Sequence, residues 1–288
     1  MEATNRARPL WLRALQFPLT RVILLGAVIL FLMGWTESRI QVFADNPVIG
    51  VAIAIAMALV MMAGYLAWGR FIERREVTEL SPAGAGREWA IGALLGAGLY
   101  TGCVMLLMLL GMYRVEGLNP LAFMIPAAAM AVKSGVFEEL LFRAVLFQSV
   151  EQMAGSWIAI IVSSLVFGLL HLINPGATLA GAIYIAIEAG LLLAAAYLVT
   201  RRLWLAIGFH MAWNYVQSAV FSGIVSGGVT LPGLFQARIE GPDFFTGGSF
   251  GMEQSVFALL LCTTAGVVLL VMAQRRGHLM PPPWKRGG

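Results

Sequence analysis

The 288-residue chain has only two aspartates, two cysteines and three histidines, and each scarcity closes off a chemistry. Asp45 and Asp243 both fall in polar segments between apolar runs, so no pair of aspartates is available at membrane depth to share a proton and activate water. No His-Glu-x-x-His occurs, so the usual helical zinc motif is missing. No Gly-x-Ser-x-Gly occurs either, and neither Ser134 nor Ser163 sits in a motif that marks a nucleophile. Cys103 and Cys262 both lie inside apolar runs and read as small core residues rather than a disulfide framework. Charge is scarce too, at 12% of residues against about 25% in a soluble domain. The formal charge of +4 does not point to nucleic acid, because most Arg and Lys lie between apolar runs or at the chain ends. In a membrane protein that placement reports orientation.

What is abundant is apolar: 59% of residues are hydrophobic and the mean hydropathy is +0.83. The runs are long enough for a bilayer, which needs about 20 consecutive apolar residues per helix. The expected fold is an all-α polytopic membrane bundle in one integral membrane domain, residues 1–288, with the lipid bilayer as its solvent. Eight spans are read, over about 20–36, 48–69, 90–113, 120–150, 155–173, 178–200, 203–224 and 253–273. The fourth is longer than a bilayer requires, so it is expected to tilt, to break or to be partly amphipathic. The basic N-terminus, with Arg6, Arg8, Arg13 and Arg21, leads into an apolar run without a small-residue cleavage site, which reads as an uncleaved first span. With both termini cytoplasmic, the inside segments hold Arg70, Arg74, Arg75, Arg87, Arg201, Arg202, Arg275, Arg276, Lys285 and Arg286 besides that N-terminal group. The outside segments hold only Arg39, Arg114 and Arg238, an asymmetry that supports an even number of spans. The longest polar stretches are Arg70–Glu88 and the glycine-rich loop Gly223–Gly251, and the tail 277–288 with its three prolines reads as disordered. Gly92 and Gly96, then Gly98 and Gly102, are each four apart, a spacing that lets helix backbones approach closely in lipid.

Polar groups at membrane depth are the informative exceptions, since each charge near the bilayer centre costs roughly 2.5–3.5 kcal/mol. The fourth span carries Lys133, Glu138, Glu139 and Arg143; the fifth ends in His171; the sixth holds Glu188; the seventh holds His210 and Asn214. Glu139 and Arg143 are four apart and share a face, so they read as an ion-paired clamp. Glu138 is turned about 100° from its neighbour and is free to serve as the reactive carboxylate. His210 and Asn214 repeat the four-residue spacing, as do Phe167 and His171. Taken singly, an intramembrane His is often a satisfied helix-packing residue, and Glu188 reads as structural or as lining a polar cavity. Together, a carboxylate, two imidazoles and a carboxamide on separate helices are the groups that water activation and oxyanion stabilisation require.

These positions also carry a resemblance. Glu138-Glu139-Leu-Leu-Phe-Arg143 resembles the Glu-Glu-x-x-x-Arg signature of the CAAX protease and bacteriocin-processing family, which includes the type II CAAX prenyl, or Ras-converting, endopeptidases. Phe167-Gly-Leu-Leu-His171 and His210-Met-Ala-Trp-Asn214 resemble its second and third motifs, in the family's order, within a core of about residues 90–222. The resemblance implies an intramembrane endopeptidase with Glu138, His171, His210 and Asn214 as catalytic residues and Glu139, Arg143 and Phe167 in support. Glu138, helped by His171, would activate water; His210 and Asn214 would stabilise the oxyanion. The family is commonly classed as metalloendopeptidase, and Glu138, His171 and His210 would be the ligands if zinc is used. The implied partner is a prenylated, leader-type or membrane-protein substrate, and the implied place is the plasma or inner membrane of a prokaryote. Two other classes stand beside this one: a non-catalytic bacteriocin-immunity or assembly protein of the same fold, and a proton-coupled transporter using the buried Glu and His as a relay. The transporter would be marked by inverted helix repeats, which the sequence does not display.

Overall fold

The computed structural model describes residues 9–285; Arg6, Arg8, Arg286 and the last residues of the tail lie outside the described residues. The expected all-α polytopic bundle is what forms. A short helix, Leu10–Leu15, leads into α1 (Pro18–Val42), α2 (Pro47–Glu73), α3 (Ala85–Leu109), α4 (Leu121–Ala154), α5 (Ser156–Ile173) and α6 (Leu179–Thr200). Next come α7, which is Trp204–Tyr215 continued by the wide turn Val216–Val220, and α8 (Val256–Arg275). Among the described residues, seven of these helices are long and apolar enough to cross a membrane. The seventh expected span, over 203–224, is α7; it is shorter than the others and lies inside the bundle, with Leu205, Ile207, Phe209 and Trp213 buried. A helix enclosed by other helices need not match the bilayer's full thickness.

Lipid explains the outer surface. Phe31, Leu59, Leu94, Leu165 and Leu260 are all exposed, as expected where the surrounding solvent is hydrocarbon. Polar bonds instead hold the two ends. At one end Arg21 pairs with Glu73, Arg75 with Glu73 and Glu79, Arg201 with Glu151, and Arg202 with Glu88. These are the segments that the charge asymmetry put on one side, and they gather at one end of the bundle.

Helix contacts inside the bundle follow residue size. α3 and α7 touch along Gly92 and Gly96, where an added Cβ would collide with the carbonyl oxygens of Leu205 and Phe209. Gly98 and Gly102, the second pair with the same spacing, meet nothing within reach or one side chain at 3.9 Å. Spacing alone did not tell which pair packs.

Three features depart from the sequence reading. The fourth span is unbroken in direction but wound with wide π-turns over Ser134–Glu138 and Leu140–Phe147, and similar turns occupy Ala186–Gly190 in α6 and Val216–Val220 in α7. Such turns are rare and favour functional positions. Two segments read as loops pair as antiparallel strands, β1 (Tyr113–Leu118) with β2 (Phe235–Ile239), at the end opposite the arginines. The tail read as disordered is docked as far as it is described. The Ser156 amide donates to the Met280 carbonyl at 2.9 Å, the Met280 amide to Ser156 Oγ at 2.8 Å, and Arg201 Nη2 to the His278 carbonyl at 2.7 Å. Composition suggested disorder, but backbone hydrogen bonds to two helix ends outweigh it.

Candidate active site

The polar residues of α4 to α7 meet in one cavity of about 770 Å³, enclosed by helices and by the loop after α7. Glu138, His171, His210 and Asn214 all line it, with Phe167 and Ser134 beside them. The wide turn Ser134–Glu138 ends at Glu138, so Glu138 and Glu139 diverge as helix geometry requires. Glu138 faces the cavity with its Oε2 lacking any hydrogen-bond partner among the described residues. Glu139 is buried behind it.

Glu139 does more than clamp Arg143. Its Oε1 accepts from Arg143 Nη1 at 3.1 Å and from His210 Nδ1 at 2.9 Å. A carboxylate can only accept, so the His210 proton sits on Nδ1, and its Nε2 points into the cavity 3.9 Å from Glu138 Oε2. Arg143 Nη2 in turn reaches the Ala189 and Gly190 carbonyls at 3.4 and 3.3 Å, and its guanidinium lies over the Phe167 ring at 5.1 Å. Arg143 therefore ties α4 to α6 and α5 while holding the carboxylate that orients a histidine on α7.

The remaining groups are oriented from behind in the same manner. His171 begins the last turn of α5, and its Nδ1 lies 2.7 Å from the Phe167 carbonyl oxygen. That carbonyl also only accepts, which leaves His171 Nε2 without a proton in the neutral ring. The Phe167 ring stands 4.7 Å from the His171 ring and 6.2 Å from that of His210, so it spaces the two imidazoles. Asn214 Nδ2 donates one proton to Ser134 Oγ at 2.9 Å, leaving the other free. Of the residues singled out from the sequence, Glu138, Phe167, His171, His210 and Asn214 line the cavity, and Glu139 and Arg143 are buried beside it, bonded to each other.

Ser134, Ser226 and Glu253 line the cavity but were not assigned to the site from the sequence. Ser134 was passed over because it lacks a nucleophile motif, although it lies one turn before Glu138. Glu253 and its partners Gln217 and Ser226 form a second polar group, with Gln217 Nε2 donating to Glu253 Oε2 at 2.8 Å and Ser226 Oγ to Oε1 at 3.1 Å. Glu188 lines the same cavity, and Lys133 at its rim pairs with Glu37 of α1. A buried carboxylate at the start of the last span was the available signal for Glu253; the span boundary drawn at 253 hid it.

The zinc alternative can be tested on this geometry. Among the described residues no three His, Cys, Asp or Glu side chains are grouped so as to hold a metal ion. Glu138, His171 and His210 line one cavity but are not grouped as a ligand set; the Nδ1 bonds of both histidines leave Nε2 to the cavity, an orientation that zinc ligands also adopt.

Residues 120–216, a stretch that contains all three motifs, match the family model described as type II CAAX prenyl endopeptidase Rce1-like. No curated protein and no solved structure matches the chain. The match covers α4 to α7 up to Val216 and so contains Glu138, His171, His210 and Asn214 together. This match, over about a third of the chain, supports membership of the type II CAAX prenyl endopeptidase group of proteases, and the chain is itself a multi-pass membrane protein.

Proposed function

We propose that this protein cleaves a peptide bond of a membrane-associated substrate by attack of a water activated by Glu138. The observation carrying the reading is that Glu138, His171, His210 and Asn214, from α4, α5 and α7, share one cavity, each with the atom it needs left unengaged. Glu138 takes a proton as the water oxygen bonds to the scissile carbonyl carbon. The carbonyl electrons move onto oxygen, where the free Asn214 N–H and the Nε2–H of a doubly protonated His210 donate to it. Glu139, on Nδ1, balances the charge of that ring. As the C–N bond breaks, its electrons pass to nitrogen, which takes back the proton from Glu138 directly or through His171 Nε2. This reading uses no metal in these steps, and among the described residues no three donor side chains are grouped as ligands.

The substrate reaches this cavity within the bilayer, which fits a prenylated, leader-type or membrane-protein peptide. The arginine-rich end of the bundle would face the cytoplasm of a prokaryotic cell, placing the protein in its plasma or inner membrane. The test compares peptide termini in cells carrying wild type or Glu138→Gln. New termini unique to wild type identify both activity and substrate; identical termini, with both proteins inserted and folded, would rule out this chemistry.

A further inference from the structure

Glu188 is 1% exposed, lines the cavity, and has an Oε2 with no hydrogen-bond partner among the described residues. No ion pair reaches Glu188 among the described residues, and a second carboxylate, Glu253, lines the same cavity. Glu253 is itself satisfied by Gln217 and Ser226. The cations nearest the cavity are committed elsewhere, Lys133 to Glu37 and Arg143 to Glu139. Buried carboxylates facing each other in an apolar interior require a positive partner or a proton.

Around Glu188 the cavity-facing side of α6 is apolar, with Ile185, Leu192 and Leu193, and Cys262 of α8 lines the same cavity. An apolar wall beside anions complements a side chain with an aliphatic stem and a cationic head. From this geometry we propose that Glu188, with Glu253 in the same cavity, forms a subsite for a lysine or arginine side chain of the substrate. The inference rests on the protease reading, since it assigns the occupant of the cavity to the molecule being cut. Glu188 is the counter-ion and a specificity determinant; it takes no part in bond breaking.

Two readouts separate this inference from the reading beneath it. The full chain in detergent micelles is titrated with hexylammonium chloride, with hexanol as the neutral control, and thermal unfolding is followed. Hexylammonium is expected to raise the midpoint of wild type and of Glu138→Gln alike, and hexanol is not. Glu188→Gln, neutral and of the same shape, is expected to lose at least about tenfold in apparent affinity, the scale of a charge-assisted hydrogen bond. If that variant does not fold, Glu188→Asp serves instead: charge is kept, reach is shortened, and the same midpoint shift requires more ligand. The same preparations then cut a random peptide library. Wild type is expected to favour Lys or Arg at one fixed position near the cut, and Glu188→Gln to lose that preference.

An equal shift in wild type and Glu188→Gln, or an equal shift with hexanol, overturns the subsite, as does library cleavage without preference for a basic residue. Those results would mean that the two carboxylates share a proton. Glu188-dependent hexylammonium binding in a wild type that cuts no peptide keeps the cation site and overturns the protease reading instead.

Discussion

The two ends of this molecule treat charge in opposite ways. At the arginine-rich end Glu73, Glu79, Glu88 and Glu151 are each ion-paired with arginine, and Glu79 accepts from Arg75 Nη1 at 3.0 Å, from Arg75 Nη2 at 2.7 Å and from Tyr65 at 2.5 Å. In the cavity, Glu138 and Glu188 each keep a buried oxygen with no hydrogen-bond partner, and neither carboxylate is paired with Arg or Lys among the described residues. Leaving a buried polar group unpaired costs about 1–3 kcal/mol, so a fold keeps such groups only where something else offsets the cost. The contrast teaches how to separate supporting charge from working charge in a membrane. Carboxylates paired with arginine hold helices together, and cavity carboxylates without a cationic partner are the candidates for acting on a ligand or substrate.

That contrast can be tested from its strongest point downward. Glu138→Gln keeps the shape and removes the base, so cleavage should fall by about 10²–10⁴-fold, the range for general-base catalysis, with an unchanged melting temperature. A loss of stability comparable to the loss of activity would move Glu138 to the supporting class. Glu139→Ala should damage both together. It strands the buried Arg143, a change that costs about 3–5 kcal/mol, and it frees the ring of His210. A variant that stays stable but loses activity would show that Glu139 orients His210 without holding the bundle.

The Glu79 cluster gives a pH signature. Burial alone would raise the Glu79 carboxyl, but hydrogen bonds and charge from Arg75, with the Tyr65 hydroxyl, outweigh it and hold the group below its ordinary value. A depressed carboxyl contributes its stability in full above the unfolded-state value, about 4.3, and loses it as pH falls through the folded-state value. Wild type should therefore lose melting temperature on acidification below about pH 4, while Glu79→Gln starts lower at neutral pH and changes less. Equal acid profiles for the two would remove Glu79 from the supporting network. Exhaustive chelation should leave cleavage intact, since Glu138, His171 and His210 are not grouped as ligands; loss on chelation and recovery with zinc would reverse that assignment. The smallest effect belongs to Arg238, whose partners Glu116 and Glu240 are exposed: Arg238→Ala should change neither melting nor cleavage measurably.

Much of the site was legible because lipid makes polar residues conspicuous. Glu138 and Glu139 could be told apart from helix rotation alone, and the spacing of Glu139 to Arg143 matched the ion pair that forms at 3.1 Å. The bond from His210 to Glu139 could not be read, because it joins residues 71 positions apart on different helices. The same holds for Ser134 with Asn214, and for β1 with β2, whose short strands carry no apolar run to announce them. Glycine spacing was half informative: Gly92 and Gly96 lie on the side of α3 that meets α7, Gly98 and Gly102 on the side that does not.

The sequence by itself determined that the chain is an all-α bundle crossing a membrane repeatedly, and which polar residues were out of place. Those are local matters, decided by the cost of putting a residue into hydrocarbon. Tertiary structure alone decided which polar groups satisfy one another, which tail and loops dock, and that Glu188 and Glu253 open onto the same cavity as Glu138. Hydrogen bonds are short-ranged and directional, so a partner exists only once packing has brought its helix alongside.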